Sequence, residues 1–561
     1  MPRRLAQVLL GVLALVVLAA PLPKLYAAPS ASMEEGSLLT YPSLALEGKV
    51  PTKAFWTEYG PLNVWAPAAA YAVAGSSVPV ERTVGLLYRL ALLGALFALL
   101  ARWSRRGALL AVLVSWLLLA PFGLIAYSWI GGLAGLLGAL ALGLEALARP
   151  QRQTALAVAA GLSAGVALSF RPDMAMAVAA LAAVLLWRAP LRRALEAAAG
   201  AAVGLVPLVA LLALAGTSNV VANLFIDPVV HLRAGRKLPF PPAMTGGGEY
   251  FTSLSVLQSK VWQGPGVNAQ IVAGFWLLVA VGALLAVTAV VVYRRGGPQR
   301  RADLAVLVTA LALAPQVVQR LDLNHLRFVA CIWLPLAAWA ASRLLDADGT
   351  AVRAWPVALA GMAALMAAPT AVGVAYLDTW PGVGRPPTPT AQQVAGGEGR
   401  TITMDSLGQA RDLRRLLATV RSTVPKGSRL IEGPSDLRFA NYSETSMYWQ
   451  LPELVAATYY LEFNPGITNT KNSKLSAELE QADVLVLSRR FAAFNEPNAS
   501  VVPGYNGPNV VVAKRFCVAA VVGPYELLRT KLAVGGIDAG RRPVPAGPER
   551  VGWCAQRHPV S

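Results

Sequence analysis

Apolar runs about as long as a bilayer is thick recur along the first two-thirds of this chain, and they decide its fold class. A helix needs about 20 apolar residues to cross the hydrocarbon core, and only helices or closed barrels satisfy their backbone groups there. After a first run at about Leu5–Ala20, the runs fall near Thr83–Ala101, Ala108–Ile125, Trp129–Ala148, Thr154–Ser169, Met174–Trp187, Ala194–Ala215, Ile271–Tyr293, Leu304–Val318, Phe328–Leu345 and Trp355–Tyr376. The expectation is an α-helical polytopic membrane protein of about eleven spans. Composition agrees: 14% of residues are charged, against about a quarter in soluble domains.

A net charge of +19 suggests nucleic acid at first sight. The basic residues, however, stand in short clusters between the apolar runs, which is the positive-inside pattern, and no nucleic-acid partner is expected. With the N-terminus inside, the inner connections are 102–106, 149–152, 188–193, 294–301 and 343–353, each with two or more Arg or Lys. The first run follows Arg3 and Arg4 and reads as an uncleaved helix rather than a signal peptide. The eleventh run then exits outward and exports the tail. The setting expected is a bacterial cytoplasmic membrane, since the wealth of Ala, Gly, Arg and Pro suggests a GC-rich genome.

Three units follow: a membrane domain over 1–376 with external loops at about 26–82 and 216–268, a Pro/Gly-rich linker over 377–400, and an extracytoplasmic α/β domain over 401–561. Within the last, Asp405–Val420 has helical periodicity. Arg429–Glu432, Val484–Ser488, Asn509–Ala513 and Phe516–Val522 read as strands. Asn63–Gly75, short for a span, reads as an interfacial helix. Cys331 lies in an apolar run; Cys517 and Cys554 can pair in an oxidising compartment, though two thiols fit as well.

Sorting the polar residues by side gathers an unusual set at the outer helix ends. Glu34 and Glu35 follow the first span, and Glu58-Tyr59-Gly60-Pro61 lies in the same loop. Arg171-Pro172-Asp173 and Arg320-Leu321-Asp322, with His325, join spans on that side. The longest outer loop holds Arg233, Arg236 and Lys237. Arg beside Asp next to hydrocarbon is costly unless the two pair or face a wet cavity; the plainer reading is that each Arg snorkels and each Asp caps a helix. Taken together, the groups suggest one polar cavity. A carboxylate can serve as general base, and Arg or Lys can hold a phosphate and the charge developing on it. That suits group transfer from a lipid-phosphate donor. No GxxxxGK[ST] loop, HExxH or metal-ligand cluster is present, so no cofactor is expected, with a divalent metal left open.

These stretches resemble the GT-C class of integral-membrane glycosyltransferases, of the protein-mannosyltransferase and aminoarabinose-transferase type. The likeness rests on Glu34-Glu35-Gly36 through Leu44–Lys49, on Glu58-Tyr59-Gly60-Pro61-Leu62, on Arg171-Pro172-Asp173, and on Arg320, Asp322 and His325, in that order and on one side. It covers about Met1–Tyr376 and not the tail. It departs from the family in having Glu where Asp often leads the acidic pair. The resemblance implies inverting transfer of a sugar from a polyprenyl-phosphate donor to an envelope glycan, lipid or protein. Glu34 would be the base and Glu35 its neighbour, or the reverse. Arg171 and Arg320, with Arg233, Arg236 or Lys237, would bind the donor phosphate. Asp173, Asp322 and His325 would orient sugar hydroxyls or those arginines, and Glu58 and Tyr59 belong to the same donor site.

Three other classes were weighed. A lipid or sugar transporter or flippase places ionisable groups near midplane, often in repeats; here the charges lie at span ends and no repeat is seen. A polyprenyl-linked glycan ligase differs only in a polymeric donor. A membrane scaffold leaves the acidic pair without a purpose. In the tail, Tyr442, Tyr448, Trp449, Tyr459, Tyr460 and Phe463 crowd one stretch, as a domain core or as a cover that positions the acceptor.

Overall fold

The computed structural model describes residues 11–240, 267–345 and 392–531, apart from positions 13, 31, 32, 405, 441 and 493–495. The eleventh expected span, much of the linker and of the longest loop, the first ten residues and Cys554 lie outside the described residues. Among the described residues seven helices are long and apolar enough to cross a membrane, or up to eight if a bent pair counts as one. The chain is a multi-pass membrane protein.

A turn at Ala20 and Pro21 breaks the first apolar helix, and Leu22–Ala27 continues it. Where a polar loop was expected, Glu34–Leu46 forms a helix, α1. Its 13 residues are too few to cross a bilayer, so it escaped the span count. Pro61–Ala74 follows as α2. The spans then run through α3 (Val78–Leu100), α4 (Arg105–Leu119), α5 (Ser128–Ala148) and α6 (Gln153–Phe170). The next apolar helix, α7 (Ala175–Leu186), is short. The span expected over Ala194–Ala215 is instead broken into α8 (Leu191–Gly204) and α9 (Val206–Ala215), bent by 50°. Pro207 explains the break, since it lacks an N–H and its ring clashes with the preceding turn. Beyond it lie a π-helix over Ala222–Leu232 and then α10 (Val267–Arg295), α11 (Arg300–Leu311), α12 (Ala314–Gln319) and α13 (Leu323–Leu345).

Close packing of α6 on α8 depends on small residues. A Cβ on Gly161 would lie 1.9 Å from the Ala197 carbonyl oxygen, and one on Gly200 1.9 Å from that of Val158. Gly165 and Gly204 stand four residues further on and meet the facing backbone at 2.4 and 2.3 Å. Both helices thus carry the GxxxG spacing that lets backbones approach where no hydrophobic drive separates protein from lipid.

The C-terminal unit has a two-stranded ribbon, β1 (Gln392–Ala395) with β2 (Thr401–Met404), and a five-stranded mixed sheet. The sheet comprises β3 (Arg429–Pro434), β4 (Val455–Ala456), β5 (Val484–Ser488), β6 (Phe516–Val522) and β7 (Tyr525–Thr530), in the order β4-β3-β5-β7-β6. β4, β3 and β5 are parallel; β7 is antiparallel to β5 and to β6. Between them lie α14 (Leu407–Thr423), α15 (Ser446–Gln450), α16 (Leu475–Gln481) and α17 (Gly507–Arg515). Ser406 caps α14 by accepting from the Gln409 N–H, as a Ser N-cap does. Asn509–Ala513, expected as a strand for its valines, is helical within α17. Pro508 in its first turn is the start signal that outweighs β-propensity.

α1 joins the two halves. Tyr41 stacks on Phe55 at 5.0 Å, Thr40 donates to the Thr445 carbonyl at 3.0 Å, and Leu39 and Tyr41 share one core with Leu413, Met447 and Trp449. A Cβ on Gly36 would come within 2.5 Å of the Ser446 nitrogen. We expect Gly200→Val to force α6 and α8 apart and lower stability by about 1–3 kcal/mol, read as a fall in melting temperature in detergent, whereas Gly94→Ala, in open space, leaves it unchanged.

Candidate active site

Neighbouring helical residues point about 100° apart, so the adjacent Glu34 and Glu35 must face different surroundings. Glu35 is fully buried and forms a two-pronged pair with Arg82 of α3, at 2.7 Å to Nε and 2.9 Å to Nη2. Arg82 Nη1 also donates to the Tyr26 and Ala28 carbonyls at 2.7 and 2.9 Å. Glu35 is thereby tied to the scaffold and Glu34 turns the other way, into a cavity with about 1050 Å³ of open space.

That cavity gathers most of the residues singled out in the sequence. Glu34, Glu58, Tyr59, Arg171, Arg233, Arg236, Arg320, Asp322 and His325 all line it. Three others do not. Glu35 is on Arg82, Asp173 lines an adjoining groove beside Arg171, and Lys237 is exposed outside both. Phe122, Tyr127, Trp129 and Phe328 add an aromatic wall.

Two devices of the same design hold the arginines. Arg171 ends α6 in extended backbone and chelates Asp173 two residues on, at 2.9 and 2.7 Å. Its guanidinium also lies 5.1 Å over the Trp129 ring. Arg320 ends α12 in the same conformation and reaches Asp322 at 2.6 Å. Asp322 accepts the His325 N–H at 2.9 Å, so it caps α13 as well. Burial alone would raise the Asp322 carboxyl, but the charges and hydrogen bonds of His325 and Arg320 outweigh it and hold the group well below the usual carboxylate range.

The motif Glu58-Tyr59-Gly60-Pro61 is explained by contact with this end of α6. Gly60 donates to the Phe170 carbonyl at 3.0 Å, and a Cβ there would meet the Ser169 oxygen at 2.3 Å. Pro61 then opens α2. Only glycine permits the approach that places Glu58 beside Arg171.

The C-terminal unit supplies the residues that sequence reasoning missed. Glu462 and Asn464 line the cavity, with Tyr442 from the aromatic stretch. Glu462 accepts the Tyr41 hydroxyl at 2.9 Å. Glu496, fully buried, pairs with both Arg320 and Arg236 and accepts the Tyr442 hydroxyl at 2.7 Å. A carboxylate inside the apolar run Tyr459-Tyr460-Leu461-Glu462-Phe463 is a signal of a built polar site that the sequence did carry.

Burial raises the Glu34 carboxyl; the charge of Glu462 adds to the rise, while its own backbone N–H, Arg320 and Arg236 oppose it. Glu58 and Glu462 are raised for the same first reason, Glu58 against the pull of Arg171. The cavity therefore holds carboxylates raised toward neutrality beside Arg171 and Arg320, whose charged forms are favoured by the groups they pair with.

No family pattern matches the sequence, and no curated protein matches it. Among solved structures the chain is similar to ArnT from Cupriavidus metallidurans bound to undecaprenyl phosphate, at 14% identity and a TM-score of 0.51 over 94% of this chain and 99% of that one. The apo state of that protein aligns at 16% identity and 0.46, over 93% and 97%. The chain has a GT-C fold. The likeness spans the tail as well as the membrane helices, farther than the resemblance legible in the motifs.

Because Glu35 holds α1 in place and Glu34 does not, the two should separate on substitution. Glu35→Ala strands a buried Arg82 and should cost about 3–5 kcal/mol. Glu34→Gln keeps the side chain's size and breaks no ion pair among the described residues, so it should leave the melting temperature within about 1 °C of wild type, a change of about 0.5 kcal/mol or less.

Proposed function

We propose that this chain is an inverting glycosyltransferase that moves a sugar from a polyprenyl-phosphate donor to an acceptor on the non-cytoplasmic face of the membrane. One observation carries the reading: Glu34 faces the same cavity as Arg171, Arg233, Arg236 and Arg320. That is the pairing of base and phosphate-binding cations such a reaction needs. The likeness in fold to ArnT supports it, since that protein was solved with undecaprenyl phosphate bound.

In the proposed step, Glu34 takes the proton of the acceptor hydroxyl. The acceptor oxygen attacks the anomeric carbon from the face opposite the phosphate, and the bond from that carbon to the phosphate oxygen breaks. The polyprenyl phosphate leaves with its charge held by the arginines. The isoprenoid chain has a path in the adjoining groove, where Leu224, Phe225 and Val229 of the π-helix and Pro315 of α12 meet Arg171 and Arg233. The positive inner connections support a cavity and C-terminal unit on the far side of a bacterial cytoplasmic membrane. The acceptor is an envelope glycan, lipid or protein, and the surrounding membrane lipids complete the partners.

Mass spectrometry of envelope glycans from a deletion strain should show the loss of one defined sugar, restored by the wild-type chain. Glu34→Gln and Arg171→Ala, inserted at wild-type levels, should fail to restore it. Removal of a general base typically costs 10²- to 10⁴-fold in rate. Restoration by either variant, or no change in any glycan on deletion, overturns the assignment.

The raised Glu34 carboxyl gives a second test. A base works deprotonated, so turnover should climb with pH through a midpoint above the ordinary glutamate value of about 4.3. Glu462→Gln removes a negative charge that raises Glu34, so the acid limb of the rate profile should move to lower pH. A limb that stays in place, or moves upward, counts against Glu34 as base.

A further inference from the structure

A second cleft, in the C-terminal unit, adjoins the cavity across a single side chain. It holds about 740 Å³ of open space at the carboxyl ends of the parallel strands β3 and β5. Pro434 and Ser488, the paired last residues of those strands, form its floor. The carboxyl ends of parallel strands are where open α/β sheets hold ligands, because the loops diverge there and leave a crevice.

The lining has the chemistry of a sugar subsite. Phe439 and Phe491 are half-buried in the lining, with the Arg438 guanidinium 5.7 Å over the first ring and that of Arg490 5.1 Å over the second, and aromatic rings stack on apolar surfaces of a ligand. Ser435, Asp436, Ser488 and Ser500 supply short polar groups around them. Asp436 is held rigid by Arg438 at 2.7 Å and by Asn509 at 2.7 Å. Ser500 is 1% exposed, its backbone N–H is taken up by Asn498, and its hydroxyl meets no partner among the described residues. An orphaned buried hydroxyl in a cleft lining lacks the hydrogen bond that burial demands, and a ligand hydroxyl would supply it.

Tyr442 belongs to both spaces. It lines this cleft and the Glu34 cavity, lies 6.1 Å from the Phe491 ring, and receives a hydrogen bond from Arg320 at 3.3 Å. We infer that the cleft is an acceptor subsite for a saccharide, which lies over Phe439 and Phe491 and passes Tyr442 to bring its terminal hydroxyl toward Glu34. The inference rests on the proposed transferase reading and narrows its acceptor from glycan, lipid or protein to a glycan chain.

The test uses the full chain in nanodiscs and two probes: undecaprenyl phosphate, and the oligosaccharides released by mild acid from the envelope of the source cells. Saturation-transfer NMR should show oligosaccharide bound to the wild type. Phe491→Ala and Ser500→Phe should each weaken that binding at least tenfold while undecaprenyl phosphate binds as before, which also shows that the variants are folded. Oligosaccharide binding that is absent from the wild type, or unaltered in both variants, overturns the subsite. Loss of undecaprenyl phosphate binding in the wild type would instead overturn the transferase reading, so the two failures are distinguishable.

Discussion

The buried pair between Glu35 and Arg82 is the constraint on which the site depends. Arg82 sits near the start of α3 and binds both the segment that precedes α1 and α1 itself. Once Glu35 is fixed there, helical geometry leaves its neighbour Glu34 little choice of direction, and the opposite face of α1 is set as well. Tyr41 then reaches Glu462, and Gly36 meets Ser446. Two adjacent acids that look interchangeable in the sequence are divided into one that orients the helix and one that faces the cavity. A buried ion pair is weak evidence for net stability; its value here is direction.

Most of the described spans, and the gathering of polar residues at one end of them, were legible because a bilayer imposes a length and a charge asymmetry on the sequence. The candidate cavity was legible for a related reason. Arg171 with Asp173 and Arg320 with Asp322 violate the ordinary composition of span ends, and the structure brings both pairs to one place. The plain reading of Asp322 as a helix cap was also correct. A residue can cap α13 and orient Arg320 at once, and the two readings were never exclusive.

What could not be read were contacts between distant parts of the chain. α1 looked like part of a polar loop because its 13 residues are too few to span a bilayer and carry no one-sided apolar pattern; their burial against the C-terminal unit is invisible to hydropathy averaging. Glu462 and Glu496 lie more than a hundred residues beyond the last described membrane helix, and nothing local says that they point at Arg236 and Arg320. The glycines at 161, 165, 200 and 204 were visible as spacing. Their meaning needed the partner helix, since a small residue is informative only when the facing backbone is known.

The charge balance around the arginines has a consequence for any anionic ligand. Arg320 is shared among Asp322, Tyr442 and Glu496, and Arg236 among Glu496, Asn464 and the Phe463 carbonyl. A phosphate arriving at these guanidiniums does not meet bare charge; it exchanges with carboxylates already in place. Exchange of one anion for another leaves the local field nearly balanced and tempers the affinity that uncompensated arginines would give in a medium of low dielectric. In the proposed transferase reading, in which a lipid phosphate leaves after every turnover, moderate binding is the more useful property. Arg171 follows the same rule through Asp173, whose carboxylate is braced by Gln316. Arg171, Arg236 and Arg320 are therefore held in position by anions already in place, and Glu34, which has no ion-pair partner among the described residues, is left to respond to what enters.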